Sequence, residues 1–336
     1  MSRFLTHFIV IAAVCLTTAC KNNDKVLLNV TGKAGEVCIV MERPVWEGEL
    51  GVAVRSALAA DYPYLPQQEP LFTIFNISER AFSSIFQHHR NLFMVRISPE
   101  ISDASMVIQR DVWAKTQIVV TLSGPNLAEV LSIFDAQKEK LVGAFEQAER
   151  NRVITNSKRH EEKSLRTLVT ESFGGSPFFP TGYSLRKQSK DFIWISFETT
   201  YASQGVFIYS YPYVDANSFS KAVMLRERDA VLQREVPGER PNSYMTTYSN
   251  TIEEPALRWV TYNNMDFAEL RGLWDMKNDF MGGPFISHSY LDKQNNRVLV
   301  IEAYVYNPRS EKRNFLRSTE SILYSFEWAE NQDNSM

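Results

Sequence analysis

Cysteine is scarce in this chain, which contains three among 336 residues. Cys15 lies inside the apolar N-terminal segment, and Cys20 lies four residues after the end of that segment. If the segment is removed and Cys20 is modified, only Cys38 keeps a free thiol, which excludes an intramolecular disulfide. The fold must then be stabilised by its core. Cys38 lies in the apolar run VCIV, which predicts a small buried residue and not a reactive thiol.

Charge of either sign is not in large excess. The formal net charge is -3, and it becomes -4 without residues 1–19, where Arg3 is the single charged residue. Such a mildly acidic chain has no broad basic field and is not expected to bind nucleic acid.

Motifs of known chemistry are also lacking. His160-Glu161-Glu162-Lys163 begins like a zinc-protease helix but has no second histidine four residues on. Ser218-Phe219-Ser220-Lys221 matches S-x-x-K without its partner motifs S-D-N and K-T-G. No cofactor, metal ligand or catalytic residue is therefore predicted.

The N-terminus has the pattern of an export signal. Arg3 is followed by the apolar run Phe8–Leu16 (FIVIAAVCL), which is too short for a transmembrane helix of about 20 residues. The small residues Thr17, Thr18 and Ala19 then precede Cys20.

This pattern resembles the lipobox of bacterial lipoproteins, although Thr17 stands where leucine is usual. The resemblance implies a diacylglycerol on the Cys20 thiol, cleavage before Cys20 and acylation of the new amine. The alternative is an ordinary signal peptide with an incidental cysteine. Lys21 is followed by two asparagines and a single acid, Asp24, which is a weak cell-surface signal. We therefore expect a lipid-anchored envelope protein at the outer membrane, facing the periplasm.

The pattern of apolar residues predicts an α+β protein of two domains, each a mostly antiparallel sheet with helices packed on one face. Expected helices cover 78–89, a long segment after Asn126, and 311–326, and a hairpin is expected across 293–296. The expected organisation is a signal peptide (1–19), a tether (20–34), an N-terminal domain (35–173), a C-terminal domain (174–328) and a disordered tail (329–336).

The segment Arg271–Phe285 (RGLWDMKNDFMGGPF) is the best candidate for a binding loop. It combines Trp274, Asp275, Asp279 and Phe280, and loops that mix aromatic residues with both charge signs often bind ligands. Asp275 and Asp279 are also candidates for paired acid–base carboxylates. The structural alternative is a long connection whose aromatic side chains pack into the core.

Several phrases together resemble one family of lipoproteins from Gram-negative bacteria. They include VMERPVWEGELG, EPLFTIFNI, HRNLFMVRI, PTGYSLRKQSKDFIWIS and RGLWDMKNDFMGGPFIS. Their order and wording are similar to the domain-of-unknown-function 4837 family, over nearly all of the mature chain. The resemblance implies an envelope lipoprotein and transfers no catalytic residue.

These patterns favour a non-catalytic binding or assembly module, held at the membrane by Cys20, for an unknown envelope protein or ligand. One alternative is a periplasmic hydrolase of an envelope polymer that uses carboxylates in the 271–285 loop. Another is a carrier with an aromatic-lined pocket between the domains.

Overall fold

The computed structural model describes residues 27–248 and 254–329. The predicted signal peptide, Cys20 and nearly all of the predicted tail lie outside this range. Within it the protein is α+β, as the sequence predicts. Part of the predicted tether is structured, because β1 (Leu28–Asn29) pairs in parallel with β6 (Ala114–Lys115).

The first half is built around a five-stranded sheet. Its further elements are β2 (Glu36–Val40), α1 (Arg43–Glu47), α2 (Glu49–Leu58), β3 (Thr73–Ile77), α3 (Ser84–Gln87), β4 (Asn91–Ile97), β5 (Ser105–Arg110), β7 (Ile118–Gly124) and α4 (Leu127–Arg159). The predicted helix over 78–89 is wrong in length, because a 3-10 turn at Glu79–Ala81 precedes the single turn of α3.

The strand order in this sheet is β3-β2-β4-β7-β5, and only β5 is antiparallel to its neighbour. The prediction of a mostly antiparallel sheet is therefore wrong for the first half. Helices connect β2 to β3 and β3 to β4, which allows parallel pairing. Both faces are covered: α2 and α4 pack on one, and Phe82, Phe86 and Trp113 pack on the other.

The second half contains an eight-stranded antiparallel sheet. Its elements are α5 (Lys163–Phe173), β8 (Gly175–Ser176), β9 (Ser184–Ser189), β10 (Phe192–Glu198), β11 (Ser203–Pro212), α6 (Lys221–Glu235), β12 (Tyr244–Thr247), β13 (Ala256–Tyr262), β14 (Met265–Lys277), β15 (Gly282–Asp292), β16 (Arg297–Tyr306), α7 (Arg313–Leu323) and β17 (Glu327–Trp328).

The order of this sheet is β12-β14-β15-β16-β11-β10-β9, and β13 also pairs with β14. Helix α6 packs on one face, whereas α5 and α7 pack on the other. The expectation of helices on a single face is therefore wrong here. The central strands β11 and β16 are buried at most positions, because helices cover both faces of the sheet.

The two halves meet along α7, whose first turn is capped from the other half. The Glu69 carboxylate accepts hydrogen bonds from the backbone N–H groups of Lys312 (2.7 Å) and Arg313 (2.8 Å). Glu69 is buried, and a carboxylate at a helix N-terminus is favoured by the helix dipole. The start of α7 therefore depends on a residue of the first half.

Further along α7, Glu320 forms the centre of a buried ionic cluster. Its carboxylate accepts hydrogen bonds from the Tyr62 hydroxyl at 3.0 Å and from Arg271 at 2.5 Å, and it lies 3.5 Å from Arg150. Burial would raise the pKa of Glu320, but the charges of Arg271 and Arg150 outweigh it and lower the pKa. Tyr62 and Arg150 belong to the first half, so the cluster joins the halves.

Glu269 and His288 extend the cluster into the sheet. The two side chains are fully buried, with His288 Nε2 3.5 Å from Glu269 Oε2, and Arg258 and Arg271 each donate to Glu269 at 2.6 Å. Burial opposes the ionised carboxylate, but His288 and Arg271 hold the pKa of Glu269 far below its usual range. Burial lowers the pKa of His288, against the pull of Glu269.

The buried His288 predicts a pH dependence of stability between pH 7 and 5. Folded His288 stays neutral as the pH falls, whereas the unfolded side chain takes up a proton below about pH 6.5. The free energy of unfolding should therefore fall with pH, by up to about 1.4 kcal/mol per pH unit for one proton. Urea denaturation at pH 7, 6 and 5 should show a flatter dependence for His288→Phe than for wild type.

The exposed His160 supplies the control for this measurement. His160→Asn should keep the wild-type dependence. If the free energy of unfolding of His288→Phe depended on pH as steeply as that of wild type, His288 would not be the cause of the dependence. Below about pH 4.3, wild type and His288→Phe should both lose stability further. Glu269 and Glu320 have lowered pKa values in the folded state, so the unfolded carboxylates take up protons first.

Candidate functional site

The segment predicted as a binding loop is mostly sheet. Residues up to Lys277 belong to β14, those from Gly282 belong to β15, and only a short turn at 278–281 joins them. The loop prediction is wrong because β14 pairs with β12 on one side and with β15 on the other. Asn278, with φ of 60°, provides the left-handed residue that the turn requires.

An aromatic cavity of about 570 Å³ lies on the α6 face of this sheet, beyond the C-terminal end of that helix. Its floor is formed by aromatic side chains from three strands: Trp194 on β10, Trp274 on β14, and Tyr304 and Tyr306 on β16. Tyr201, which is 63% exposed, stands at the rim. A volume of about 300–1,000 Å³ with an aromatic lining is typical of small-ligand sites.

Hydrogen bonds fix the orientation of the floor. The Trp194 indole N–H donates to the Tyr304 hydroxyl at 3.0 Å, and the Ser203 hydroxyl lies 3.2 Å from the same oxygen. The Trp274 indole N–H donates to the Val305 carbonyl at 3.3 Å. The aromatic surfaces are therefore preorganised, which lowers the entropy cost of binding.

Gly205 makes room for the Tyr304 ring. The two residues are opposite each other on β11 and β16, and a Cβ at Gly205 would lie 2.0 Å from a Tyr304 ring carbon. Glycine in the interior of a strand often marks such a close approach. The ring of Tyr304 then stacks on Phe207 with a centroid distance of 4.8 Å.

A buried ion pair holds α6 and β12 against the sheet beside the cavity. Arg228 of α6 donates three hydrogen bonds of 2.8–3.0 Å to the Glu302 carboxylate of β16 and one of 2.8 Å to Thr247 of β12. Its guanidinium also lies 3.7 Å from the Phe285 ring centroid. Met245 of β12 and the segment 236–239 that follows α6 form the cavity wall, so this pair supports the wall.

The rim of the cavity carries both charge signs in equal number. Two arginines, Arg186 and Arg309, and two glutamates, Glu198 and Glu239, line the same opening. The Glu198 carboxylate is held by hydrogen bonds from Ser196 (2.7 Å) and Ser203 (2.9 Å). The rim can therefore donate and accept hydrogen bonds without a net preference for cations or anions.

The four residues predicted to bind a ligand converge on a second cavity at the hairpin end. This hairpin pocket has a volume of about 510 Å³ and is lined by Trp274, Asp275, Asp279 and Phe280, with Pro66 from the first half. Trp274 is 2% exposed and Phe280 is 89% exposed. Trp274 and Met281 line both cavities, so the cavities meet at these two side chains.

Asp275 and Asp279 make contacts that serve the turn. Each carboxylate accepts a hydrogen bond of 2.8 Å from the backbone N–H of the next residue. Asp279 also lies 3.4 Å from Arg240, whose guanidinium stacks over Phe280 at 5.0 Å. These contacts give both carboxylates a role in fixing the hairpin.

The other residues singled out in the sequence, Cys38 and Ser218, lie where their side chains serve the fold. Cys38 is buried, and burial raises the pKa of its thiol to about 12. Ser218 lies in a 3-10 turn, where its hydroxyl accepts hydrogen bonds from the backbone N–H groups of Val214 and Asp215. In residues 27–248 and 254–329, no group of three or more His, Cys, Asp or Glu side chains is arranged to hold a metal ion.

Sequence reasoning missed most of the aromatic cavity. Trp194, Tyr304 and Tyr306 lie in runs rich in aromatic and β-branched residues, a pattern that indicates strands and no binding site. One signal was available: residues 304 and 306 are aromatic at a spacing of two, which places them on one face of β16. No local sequence pattern indicates that β10, β14 and β16 come together around one cavity.

None of the helices in the described part of the chain is long and apolar enough to cross a membrane. No curated protein matches the chain. Among solved structures, the Ran-binding protein Mog1p of Saccharomyces cerevisiae is 9% identical and aligns over 46% of this chain and 90% of its own, with a TM-score of 0.30. The lipid transfer and protein localization domain of human StarD13 is 10% identical over 48% and 95%, with a TM-score of 0.22. Neither likeness supports an argument about fold or function.

Two family models match, and both are described as domains of unknown function. DUF8532 matches residues 30–158, and DUF4837 matches residues 162–325. The resemblance stated from the sequence is thus confirmed over the second half, whereas the phrases before residue 158 fall under the other model. The models divide the chain between α4 and α5, earlier than the predicted boundary after residue 173. Residues 162–325 therefore form a DUF4837 domain, the family that the sequence resemblance names.

Proposed function

We propose that this protein is a lipid-anchored binding module of the cell envelope, with the aromatic cavity as its binding site. The observation that carries the proposal is the aromatic lining of an open cavity of about 570 Å³, in which the partly exposed Trp194 and Tyr306 lie beside the buried Trp274 and Tyr304, and hydrogen bonds fix Trp194, Trp274 and Tyr304. Rigid aromatic surfaces supply large contact area at low entropy cost.

The binding proposal fits the hairpin better than hydrolysis does. Hydrolysis needs one carboxylate that can act as an acid and a second that acts as a base or nucleophile. Asp275 and Asp279 instead hold the backbone of the turn, and Asp279 also pairs with Arg240. The proposed binding module includes part of the carrier alternative, because an aromatic-lined cavity lies within the second half and not between the domains.

The proposed anchor is Cys20, with the mature protein on the periplasmic side of the outer membrane. The lipobox-like segment Leu16–Cys20 supports it. Two or three acyl chains would give durable attachment, since each buried CH₂ contributes about 0.8 kcal/mol. In this proposal the lipid anchor holds the cavity near the membrane surface, where the cavity binds an envelope component.

Photo-crosslinking in intact cells tests the site and the anchor together. A photoreactive phenylalanine analogue at Tyr201 should form a defined adduct in the membrane fraction, to be identified by mass spectrometry. Trp194→Ala should reduce the adduct at least about tenfold, as expected for an aromatic hot spot. Cys20→Ala should move the protein out of the membrane fraction.

Trp259→Ala provides the matched control, because Trp259 is 62% exposed on β13 and does not line the cavity. It should leave the adduct unchanged. Equal loss in both tryptophan variants, or no adduct at all, would contradict the cavity as the binding site. Retention of Cys20→Ala in the membrane would contradict the anchor.

A further inference from the structure

The aromatic cavity and the hairpin pocket together form an elongated site. They share Trp274 and Met281, whereas Tyr201 and Arg309 line the aromatic cavity alone and Phe280 and Pro66 line the hairpin pocket alone. A compact ligand would fill only one of the two cavities. The arrangement is suited to a chain-like ligand that passes Met281.

The lining restricts the chemistry of that ligand. Aromatic faces form the floor, whereas Arg186, Arg309, Glu198 and Glu239 form a rim of balanced charge. A fatty acyl chain would make no use of these four charged side chains, and a rim with two charges of each sign favours neither a cation nor an anion. A ligand with apolar faces and many neutral hydroxyl groups satisfies both parts of the lining.

An extended peptide fits less well. Peptides that add to a sheet need a strand edge with free backbone N–H and C=O groups. The floor of the cavity lies on β10, β14 and β16, and each of these strands is paired on both sides. Recognition must therefore rely on side chains, as it does when sugar rings stack on aromatic residues.

We infer that this site binds a neutral oligosaccharide chain. The inference rests on the proposed function and names its ligand class. Sugar rings stack through their C–H faces on Trp194 and Tyr306, the hydroxyl groups hydrogen-bond to the rim, and the chain continues past Met281 into the hairpin pocket, where Asp275 and Asp279 line the wall. The arginines and glutamates of the rim then donate hydrogen bonds to, and accept them from, the sugar hydroxyl groups.

The test is titration of the mature protein with neutral hexasaccharides of glucose, xylose, mannose and N-acetylglucosamine, followed by calorimetry and tryptophan fluorescence. At least one hexasaccharide should bind, and more tightly than its disaccharide. Tyr201→Ala, at a position whose side chain is 63% exposed, and Trp194→Ala should each weaken binding about tenfold or more. Trp259→Ala should leave it unchanged.

Met281→Trp separates the two cavities in the same assay. Filling the junction should remove the advantage of the hexasaccharide and leave disaccharide binding intact. Failure of every hexasaccharide, or binding of a polyproline peptide at the cavity instead, would overturn the saccharide inference. If the Tyr201 adduct in cells persisted in that case, the proposed function would stand and only the ligand class would be wrong.

Discussion

Arg228→Met is expected to lower the free energy of unfolding by about 3–5 kcal/mol, because it leaves the buried Glu302 carboxylate without its partner. Arg228 and Glu302 are 1% and 0% exposed, so water cannot replace the lost hydrogen bonds. Chemical denaturation at pH 7 measures the loss. Arg226→Met, an exposed arginine on the same helix, should change stability by less than about 0.5 kcal/mol.

The double variant Arg228→Met/Glu302→Leu should recover much of this loss. Replacing a buried ion pair by packed apolar side chains is often neutral or stabilising, since the desolvation of both charges is avoided. If the double variant were as unstable as Arg228→Met, the loss would come from packing and not from the unpaired charge.

The pH dependence gives a second check. Burial raises the pKa of Glu302, and Arg228 opposes that shift. Without Arg228, folded Glu302 should keep a proton to a higher pH than unfolded Glu302. The free energy of unfolding of Arg228→Met should therefore approach that of wild type as the pH is lowered towards 5.

Glu320→Met is expected to cost a similar amount, about 3–5 kcal/mol, because two arginines that are only 17% and 14% exposed lose their shared carboxylate. Arg271 donates to Glu320 from the sheet, and Arg150 approaches it from α4 in the first half. The loss should therefore weaken the junction as well as the core. Hydrogen exchange of α7 and denaturation with urea measure the two effects.

Glu327→Met is the matched control for this junction. Glu327 also joins the halves, through Lys158 at 2.6 Å, but both side chains are nearly half exposed. A surface pair contributes about 0–1 kcal/mol, so this variant should be close to wild type. Equal losses in the two variants would show that burial of Glu320 is not the cause.

Local patterns predicted the elements whose signals lie within one segment. The long α4 follows the cap at Asn126, whose side chain accepts from the Glu129 N–H, and the hairpin β15–β16 is joined across 293–296 as expected. The helix expected over 78–89 is broken instead. Phe82 and Phe86 there pack on the sheet, and this tertiary contact outweighs helical propensity.

The candidate site residues divide in the same way. Trp274, Asp275, Asp279 and Phe280 are predicted together because they lie close in sequence, and the structure places them around one pocket. Their setting was misjudged, because pairing of β14 with β12 and β15 is a long-range property. Composition and spacing do not reveal which strands become neighbours.

The sequence alone determined the scarcity of cysteine, the lipobox-like segment, the α+β class and the identity of the main helices and strands, because each depends on composition or on short-range periodicity. Only the tertiary structure decided the parallel order of the first sheet, the ionic cluster between the halves and the aromatic cavity. Trp194 and Tyr304 are far apart in the chain, as are Arg228 and Glu302. They meet because β10, β11 and β16 are neighbours in one sheet, with α6 packed against it.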